Sequence, residues 1–167
     1  MNTLLIREIQ AEDQSSFLAM TNYSQILHHP WVFPPLSVAE FEAYFQRSQQ
    51  PNQKSYILIL ENNIIGVYNL SEIVRGFFQN AYLGFYVAKD YAGKGWMSQG
   101  LKLLLHEAFA ELELHRIEAN IQPQNAPSIA LVKKNGFRLE GFSQRYLKIN
   151  NLWCDHERWA ITKEEWL

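Results

Sequence analysis

Cysteine is nearly absent from this chain of 167 residues. The one cysteine, Cys154, excludes an internal disulfide and any zinc site made of several cysteines, so we expect no bound metal. Such scarcity fits a reducing compartment, and we expect a cytoplasmic protein. Cys154 itself stands beside Trp153 in a predicted strand and is expected to have a structural role.

Long apolar runs and blocks of positive charge are missing as well. No stretch approaches the ~18 apolar residues of a membrane-spanning helix, and the opening MNTLLIREIQAED lacks the pattern of a secretory signal. The 15 basic and 17 acidic residues are interspersed, and the net charge is −2. We therefore expect neither a membrane partner nor a nucleic-acid partner.

What is present is the apolar patterning of a mixed α/β (α+β) fold. The length favours one domain spanning residues 1–167, and no repeat or linker divides it. We predict antiparallel hairpins at both ends of one sheet. The predicted strands and hairpins are Thr3–Ile9, Ser55–Leu70 around a turn at Glu61–Asn63, Ala81–Ala88, Arg116–Ile121, and Phe137–Ile161 around Asn150–Asn151.

Capping residues and periodicity predict the helices. Asp13 is expected to cap the first helix, and Ser37 with Glu40 matches a capping box that opens the second. The segment His28–Leu36 contains three prolines and is predicted to be irregular; its two histidines are expected to be ordinary loop residues. Buried positions of the first helical pattern are expected at Phe17, Leu18, Met20 and Ile26.

Two glycines mark the junction between the strand Ala81–Ala88 and the longest helical pattern. Gly93 and Gly95 would let the backbone curl around an anion, and the N–H groups and dipole at the helix start would attract a pyrophosphate. A P-loop is excluded because Trp96 follows the second glycine, and Ser98 breaks the dinucleotide fingerprint. A tight turn that binds nothing stays open at this point.

The wider pattern resembles the Gcn5-related N-acetyltransferases (GNAT). It combines YLGFYVAKDY, the loop AGKGWM, a long helix, the strand RIEANI, and Asn125-x-x-Ser128 at the start of a helix closed by KKNG. The resemblance implies a central, mostly antiparallel sheet that splays between its fourth and fifth strands and is flanked by helices. It also implies acetyl-CoA as cosubstrate, with the pyrophosphate on a loop of the form Gln/Arg-x-x-Gly-x-Gly. Asp90 replaces the first residue of that motif, so we expect main-chain N–H groups to hold the anion, at Gly93, Lys94, Gly95, Trp96 and Met97.

A narrower resemblance, from about Asn69 to Trp166, is to the Rim-type branch that acetylates the N-terminal alanine of ribosomal proteins. It is carried by NLSEIVRGFFQNAYLGFYV, GKGWMSQGL, HRIEANIQPQNAPS and EGFSQRYLKINNLWCDH. The implied acceptor is the α-amine of a protein, with direct transfer in a ternary complex. Two alternatives stay open, namely a polyamine or other small-amine acetyltransferase and a non-enzymatic acyl-CoA-binding module. The HHPWVFPP loop could form one wall of a peptide groove, and the protein is expected to be a monomer or a homodimer.

The same resemblance implies roles for residues on either side of the splay. Main-chain groups of Phe85, Tyr86 and Val87 would bind the pantetheine arm. Asn125 matches a position that contacts the coenzyme, although it is equally suited to cap the following helix. Ser128 would protonate or stabilise the leaving thiolate, the alternative being a helix serine bonded to its own backbone.

The general base has no clear candidate in the sequence. Much of the superfamily has a tyrosine where Val132 stands, and a glutamate that serves a Rim-type relative is matched here by Leu147. Glu118 and Glu72 are weak candidates, and Tyr146 is a more distant one. A protein α-amine has a pKa of ~7.7–8.0, so part of it is neutral at pH 7 and a dedicated base is not obligatory. The base is left unassigned.

Overall fold

A seven-stranded mixed sheet forms the centre of the fold. The computed structural model describes residues 3–166. The strand order across the sheet is β1-β2-β3-β4-β5-β7-β6, and all neighbours are antiparallel except β4 and β5. The strands are β1 (Leu4–Glu8), β2 (Lys54–Leu60), β3 (Asn63–Val74), β4 (Asn80–Val87), β5 (Arg116–Ile121), β6 (Arg138–Ile149) and β7 (Leu152–Thr162).

Helices cover both faces of this sheet. They are α1 (Gln14–Tyr23), α2 (Gln25–His28), α3 (Val38–Ser48), α4 (Trp96–His106), α5 (Ala126–Lys134) and α6 (Lys163–Trp166). A π-helical turn at Glu107–Glu111 extends α4. No helix within residues 3–166 combines the length and apolar character needed to cross a bilayer. The same residues contain no group of three or more His, Cys, Asp or Glu side chains placed to hold a metal ion.

The core lies in two layers separated by the sheet. Leu101, Leu104 and Leu105 of α4 pack with β-strand residues such as Leu83 on one face. On the other face, α1 and α3 pack against Tyr86 and its neighbours. Side chains on β4 therefore alternate between the two layers, as the period of a strand requires.

The start of α1 differs from the sequence prediction. Asp13 does not cap the helix with its side chain, because it ends a short 3₁₀ turn (Ala11–Asp13) that precedes α1. Its carboxylate instead accepts two hydrogen bonds from Arg7 at 2.8 Å and one from the N–H of Gln10 at 2.7 Å. The carboxylate thus links strand β1 to the first helix.

Ile26 was expected to be buried and is instead 86% exposed. The first helix ends at Tyr23, and a separate short helix, α2, begins at Gln25. This break rotates Ile26 out of the apolar stripe that contains the buried Phe17 and Met20. Leu18 is half-buried and packs at the edge of the same layer.

Other local predictions are confirmed. Ser37 caps α3 by accepting the N–H of Glu40 at 3.2 Å, while the Glu40 carboxylate accepts the N–H of Leu36 at 2.7 Å. The reciprocal bond thus reaches one residue further back than in a standard capping box. Asn150 and Asn151 have φ values of 48° and 65° and form the predicted β6–β7 turn.

Gly100 allows α4 to lie close to the sheet, which makes it a sensitive position for stability. A Cβ atom there would be 2.5 Å from the Tyr68 hydroxyl oxygen and 2.6 Å from a Leu58 methyl carbon. We expect Gly100→Ala to lower the free energy of unfolding by about 1–3 kcal/mol through overpacking. Gly84→Ala is the matched control, because a Cβ there meets nothing within 4 Å. Equal urea midpoints for the two variants would contradict this prediction.

The parallel pair β4–β5 opens along its length. Pairing begins with Asn80 and Arg116 and ends with Tyr82 and Glu118. Past that point β4 remains paired with β3, and β5 remains paired with β7. We call the gap between Leu83–Val87 and Ala119–Ile121 the seam; it lies at the splay that the sequence predicts.

Candidate active site

Main-chain groups of β4 face the seam at alternate residues. The N–H of Ala88 donates to the carbonyl of Ile65 on β3 at 2.8 Å. Because an antiparallel ladder alternates, Phe85 and Val87 turn their peptide groups the other way, towards the seam. An extended amide-containing ligand would find donors and acceptors there without displacing a strand.

His28 already uses one of these groups. Its Nε2–H donates to the carbonyl oxygen of Val87 at 2.7 Å, and burial keeps the pKa of the imidazole below its usual range. His28 is therefore neutral at pH 7 and fastens the end of α2 to the edge of the seam. This is a more specific structural role than that of an ordinary loop histidine.

Tyr86 differs from its two neighbours on β4. Its side chain is buried between the sheet and the layer of α1 and α3, where its ring lies 6.5 Å from that of Phe17. Burial raises the pKa of this phenol well above its ordinary value. The structure therefore brings Phe85 to the site and directs the Tyr86 side chain away from it.

A cavity of about 150 Å³, which we call the cleft, occupies the seam. It is bounded by β4, β5, the start of α5, the β6–β7 hairpin and the segment after α2. The cleft contains the predicted residues Phe85, Asn125 and Ser128 together with Leu147. The full lining is Trp31, Val32, Leu83, Gly84, Phe85, Asn120, Ile121, Gln122, Asn125, Ser128, Leu147, Ile149 and His156.

The glycine loop joins the end of β4 to the start of α4. Gly93 and Gly95 have φ values of 71° and 84°, in the left-handed region, and Gly95 directly precedes the first residue of α4. Among the described residues that are not adjacent in the chain, no atom lies within 4 Å of a Cβ built on either glycine. The carboxylate of Asp90 accepts a hydrogen bond from the Tyr23 hydroxyl at 3.3 Å. This contact with α1 leaves the loop's anion-binding capacity to main-chain N–H groups at a helix start.

Asn125 and Ser128 form the beginning of α5. The Asn125 side chain accepts the main-chain N–H of Ser128 at 3.4 Å, so Asn125 is a helix cap as well as a cleft residue. Within residues 3–166 the Ser128 hydroxyl makes no hydrogen bond, neither to its own helix nor elsewhere. The hydroxyl is therefore free to bond to a ligand. Val132, one turn later, is fully buried in the core.

Neither weak candidate for the base reaches the cleft. Glu118 lies at the point where β4 and β5 last pair, and its carboxylate accepts from Arg116 at 2.9 Å. Glu72 lies inside β3, not after it, at an exposed bulge where its φ is 49°. Tyr146 lies on the hairpin, with its ring 6.3 Å from that of His156.

Two polar residues of the cleft were missed in the sequence. His156 on β7 is only 3% exposed, and its Nδ1 lies 2.9 Å from the carbonyl oxygen of Cys154. Asn120 on β5 has a buried Oδ1 with no partner within residues 3–166. For His156, the signal in the sequence was the alternation of side chains along the second strand of the hairpin. This alternation places His156 on one face and Asp155 and Glu157 on the other.

A larger depression of about 810 Å³ lies between the irregular segment after α2 and helix α3. We call it the acceptor groove. Its walls include Phe33, Pro34 and Pro35, and Val32 borders both this groove and the cleft. Its charged residues are one acid, Glu40, and one base, Arg47, besides two histidines. The groove is thus largely apolar and carries no excess of negative charge.

The sequence has relatives that share this architecture. Residues 3–138 match the acetyltransferase (GNAT) domain family. "Probable N-acetyltransferase YjcK" of Bacillus subtilis is 41% identical over 60% of this chain and 56% of its own length. The ribosomal protein uS5-alanine N-acetyltransferase of Escherichia coli is 39% identical over 64% of this chain and 55% of its own length. The chain thus spans about half the length of these curated relatives.

A solved structure extends the likeness to nearly the whole chain. Mycobacterium smegmatis RimJ, in complex with CoA-disulfide, superposes with a TM-score of 0.88 at 26% identity. That comparison covers 97% of this chain and 83% of the other protein. The splayed sheet, the glycine loop and the matched family domain agree, and the chain belongs to the GNAT acetyltransferase family.

Proposed function

We propose that this protein is an acetyl-CoA-dependent N-acetyltransferase that acts on the N-terminal α-amine of a protein by direct transfer. The observation that carries this proposal is the seam. Residues 83–85 of β4 line the cleft together with Ser128, whose hydroxyl is unbonded among the described residues. The chain continues from the end of β4 to the glycine loop at the start of α4, so one extended coenzyme could follow β4 between that loop and Ser128. Acetyl-CoA would supply the activated acetyl group.

Main-chain groups would hold the coenzyme. The N–H groups of residues 93–97 belong to a left-handed glycine loop and to a helix start, a combination that suits a pyrophosphate. The peptide groups of Phe85 and Val87 face the seam and would bond to the pantetheine arm. Asn125 would contact the same arm while it caps α5.

Ser128 is the group best placed to assist the departure of the thiolate. Its hydroxyl lines the cleft and has no competing partner within residues 3–166. A hydroxyl there can donate its proton to a leaving sulfur or stabilise the negative charge by hydrogen bonding. Val132, fully buried and apolar, cannot take this role.

The composition of the two cavities favours a protein N-terminus over a polyamine. A polyamine carries several positive charges and needs several carboxylates around it. The cleft lining has no Asp or Glu, and in the acceptor groove Glu40 is balanced by Arg47. An apolar groove that shares the wall residue Val32 with the cleft suits an extended peptide whose first residue is small.

An acceptor panel tests this proposal. With acetyl-CoA, we expect thiol release with peptides that begin with alanine or serine, and at least tenfold lower kcat/KM with spermidine. Mass spectrometry of ribosomal proteins after incubation would locate the added acetyl group. Preference for spermidine would reject the peptide acceptor. Coenzyme A binding without turnover on any amine would instead support the non-enzymatic acyl-CoA-binding module.

A further inference from the structure

His156 has one ring nitrogen that is fixed by the protein. Its Nδ1 lies 2.9 Å from the carbonyl oxygen of Cys154, and a carbonyl can only accept. Nδ1 must therefore carry a proton. In the neutral imidazole the other nitrogen, Nε2, then has a lone pair and acts as a proton acceptor.

This second nitrogen is available to the cleft. His156 lines the cleft with Ser128, although the residue as a whole is only 3% exposed. Nε2 has no hydrogen-bond partner among the described residues, yet it is not one of the unpartnered polar atoms sealed from solvent. Nε2 is therefore an accessible atom of a residue that lines the cleft.

We propose that Nε2 of His156 is the general base that takes the proton from the acceptor amine, an inference that rests on the proposed function. No carboxylate lines the cleft to compete for this role. The neighbouring acids of β7 are engaged elsewhere: Asp155 accepts the N–H of Arg145 at 2.8 Å, and Glu157 accepts the indole N–H of Trp159 at 2.9 Å. The titratable group beside His156 on β6 is Tyr146, and the charged group on the same face of β7 is Arg158, which donates to Ser143 Oγ at 3.1 Å; Ser128 of α5 lines the same cleft.

The proton balance is complete with these groups. The acceptor arrives mainly as an ammonium ion and loses one proton to Nε2, which later releases it to solvent. The neutral nitrogen forms the new C–N bond as the C–S bond breaks. A second proton of the attacking nitrogen passes to the departing sulfur through the Ser128 hydroxyl. The hydroxyl gives its proton to the sulfur and receives one from the nitrogen. The products are the amide and the free thiol.

Asn120 supports the same placement of the amine. Its Oδ1 is buried in the lining of the cleft and has no partner in the part of the chain described. A buried acceptor without a donor is unfavourable, and an ammonium group has three donors to offer. Because Oδ1 is sealed from solvent, it would accept from an ammonium at His156 Nε2 once the Asn120 amide turns towards the cleft.

The test measures kcat/KM for an alanine-initiated peptide at pH 7 and pH 9 in the unaltered enzyme and in His156→Asn. Asparagine keeps a donor for the Cys154 carbonyl but has no basic nitrogen. We expect about a tenfold loss at pH 7, below the 10²–10⁴ typical of general bases, because between about one α-amine in six and one in eleven is already neutral there. At pH 9 the amine needs no base, and the loss should fall to within about threefold.

Three measurements separate this role from a structural one. Coenzyme A affinity by calorimetry should be unchanged in His156→Asn, and His156→Gln should show the same pH-dependent loss. His106→Asn, at an exposed site near the end of α4, should match the unaltered enzyme at both pH values. A loss of equal size at pH 7 and pH 9, or none, would overturn the base while leaving the acetyltransferase intact. Absence of turnover in the unaltered enzyme would overturn the proposed function, and the base with it.

Discussion

Gly95→Val is expected to lower the affinity for coenzyme A by about 100-fold or more in a protein that remains folded. Gly95 has a φ of 84°, in a region that a β-branched residue avoids. Valine would turn the peptide groups on either side and misdirect the N–H groups that we assign to the pyrophosphate. Two charge-assisted hydrogen bonds lost at about 1.5–3 kcal/mol each would exceed a 100-fold change. Calorimetric titration with coenzyme A gives the affinity.

The chain offers a matched control for this substitution. Gly76, in the turn between β3 and β4, has a φ of 76° and equally open space beside its α-carbon. Gly76→Val imposes the same kind of backbone strain at the opposite end of β4 from the glycine loop. It should lower the melting temperature about as much as Gly95→Val and leave coenzyme affinity unchanged. Equal loss of affinity in both variants would mean that strain alone, and not the loop, explains the effect.

Features that depend on a few neighbouring residues were predictable from the sequence. The strand bounds of β5, the turn at Asn150–Asn151, the Ser37 cap and the glycine loop all follow from local chemistry. The sequence also predicts that Asp90 takes no part in anion binding; its carboxylate accepts a hydrogen bond from Tyr23 at 3.3 Å, which is compatible with that prediction. A local conformational preference determines the structure of a segment where no long-range contact competes with it.

Two local predictions failed because another part of the chain changed the outcome. Arg7, six residues away on β1, binds the Asp13 carboxylate that otherwise suits a helix cap. The apolar periodicity predicts a buried Ile26, but the first helix ends at Tyr23 and Ile26 lies in the separate helix α2. Neither the ion pair with Arg7 nor the break after Tyr23 is visible in a pattern of capping residues and apolar periodicity.

The cleft itself depends on pairing across the whole sheet. His156 reaches it because β7 pairs with β5 on one side and β6 on the other, which brings the hairpin beside Ser128. From the sequence, the histidine in CDHE was one of several polar residues in a long hairpin. Only the three-dimensional structure shows that His156 is buried and that its ring bonds to the Cys154 carbonyl.

Ser128→Ala is expected to lower kcat by about tenfold to 100-fold while coenzyme A affinity is kept. The variant removes only the hydroxyl, because the Asn125 cap bonds to the main-chain N–H of residue 128, which alanine retains. The start of α5 should therefore keep its structure. A leaving thiolate without a donor raises the barrier by the worth of one charge-assisted hydrogen bond, about 1.5–3 kcal/mol, which corresponds to this range. Steady-state kinetics at saturating acetyl-CoA gives kcat.

Comparison of Ser128→Ala with Ser128→Thr tests the hydroxyl itself. Threonine restores a proton donor at the same position and should recover part of the lost rate, although its methyl group narrows a cleft of only about 150 Å³. The Ser128→Ala loss should also persist at pH 9, because it concerns the leaving sulfur, unlike the His156→Asn loss, which concerns the amine. A Ser128→Ala enzyme with unchanged kcat would remove this residue from the mechanism. A weaker coenzyme affinity at unchanged kcat would make it a binding residue instead.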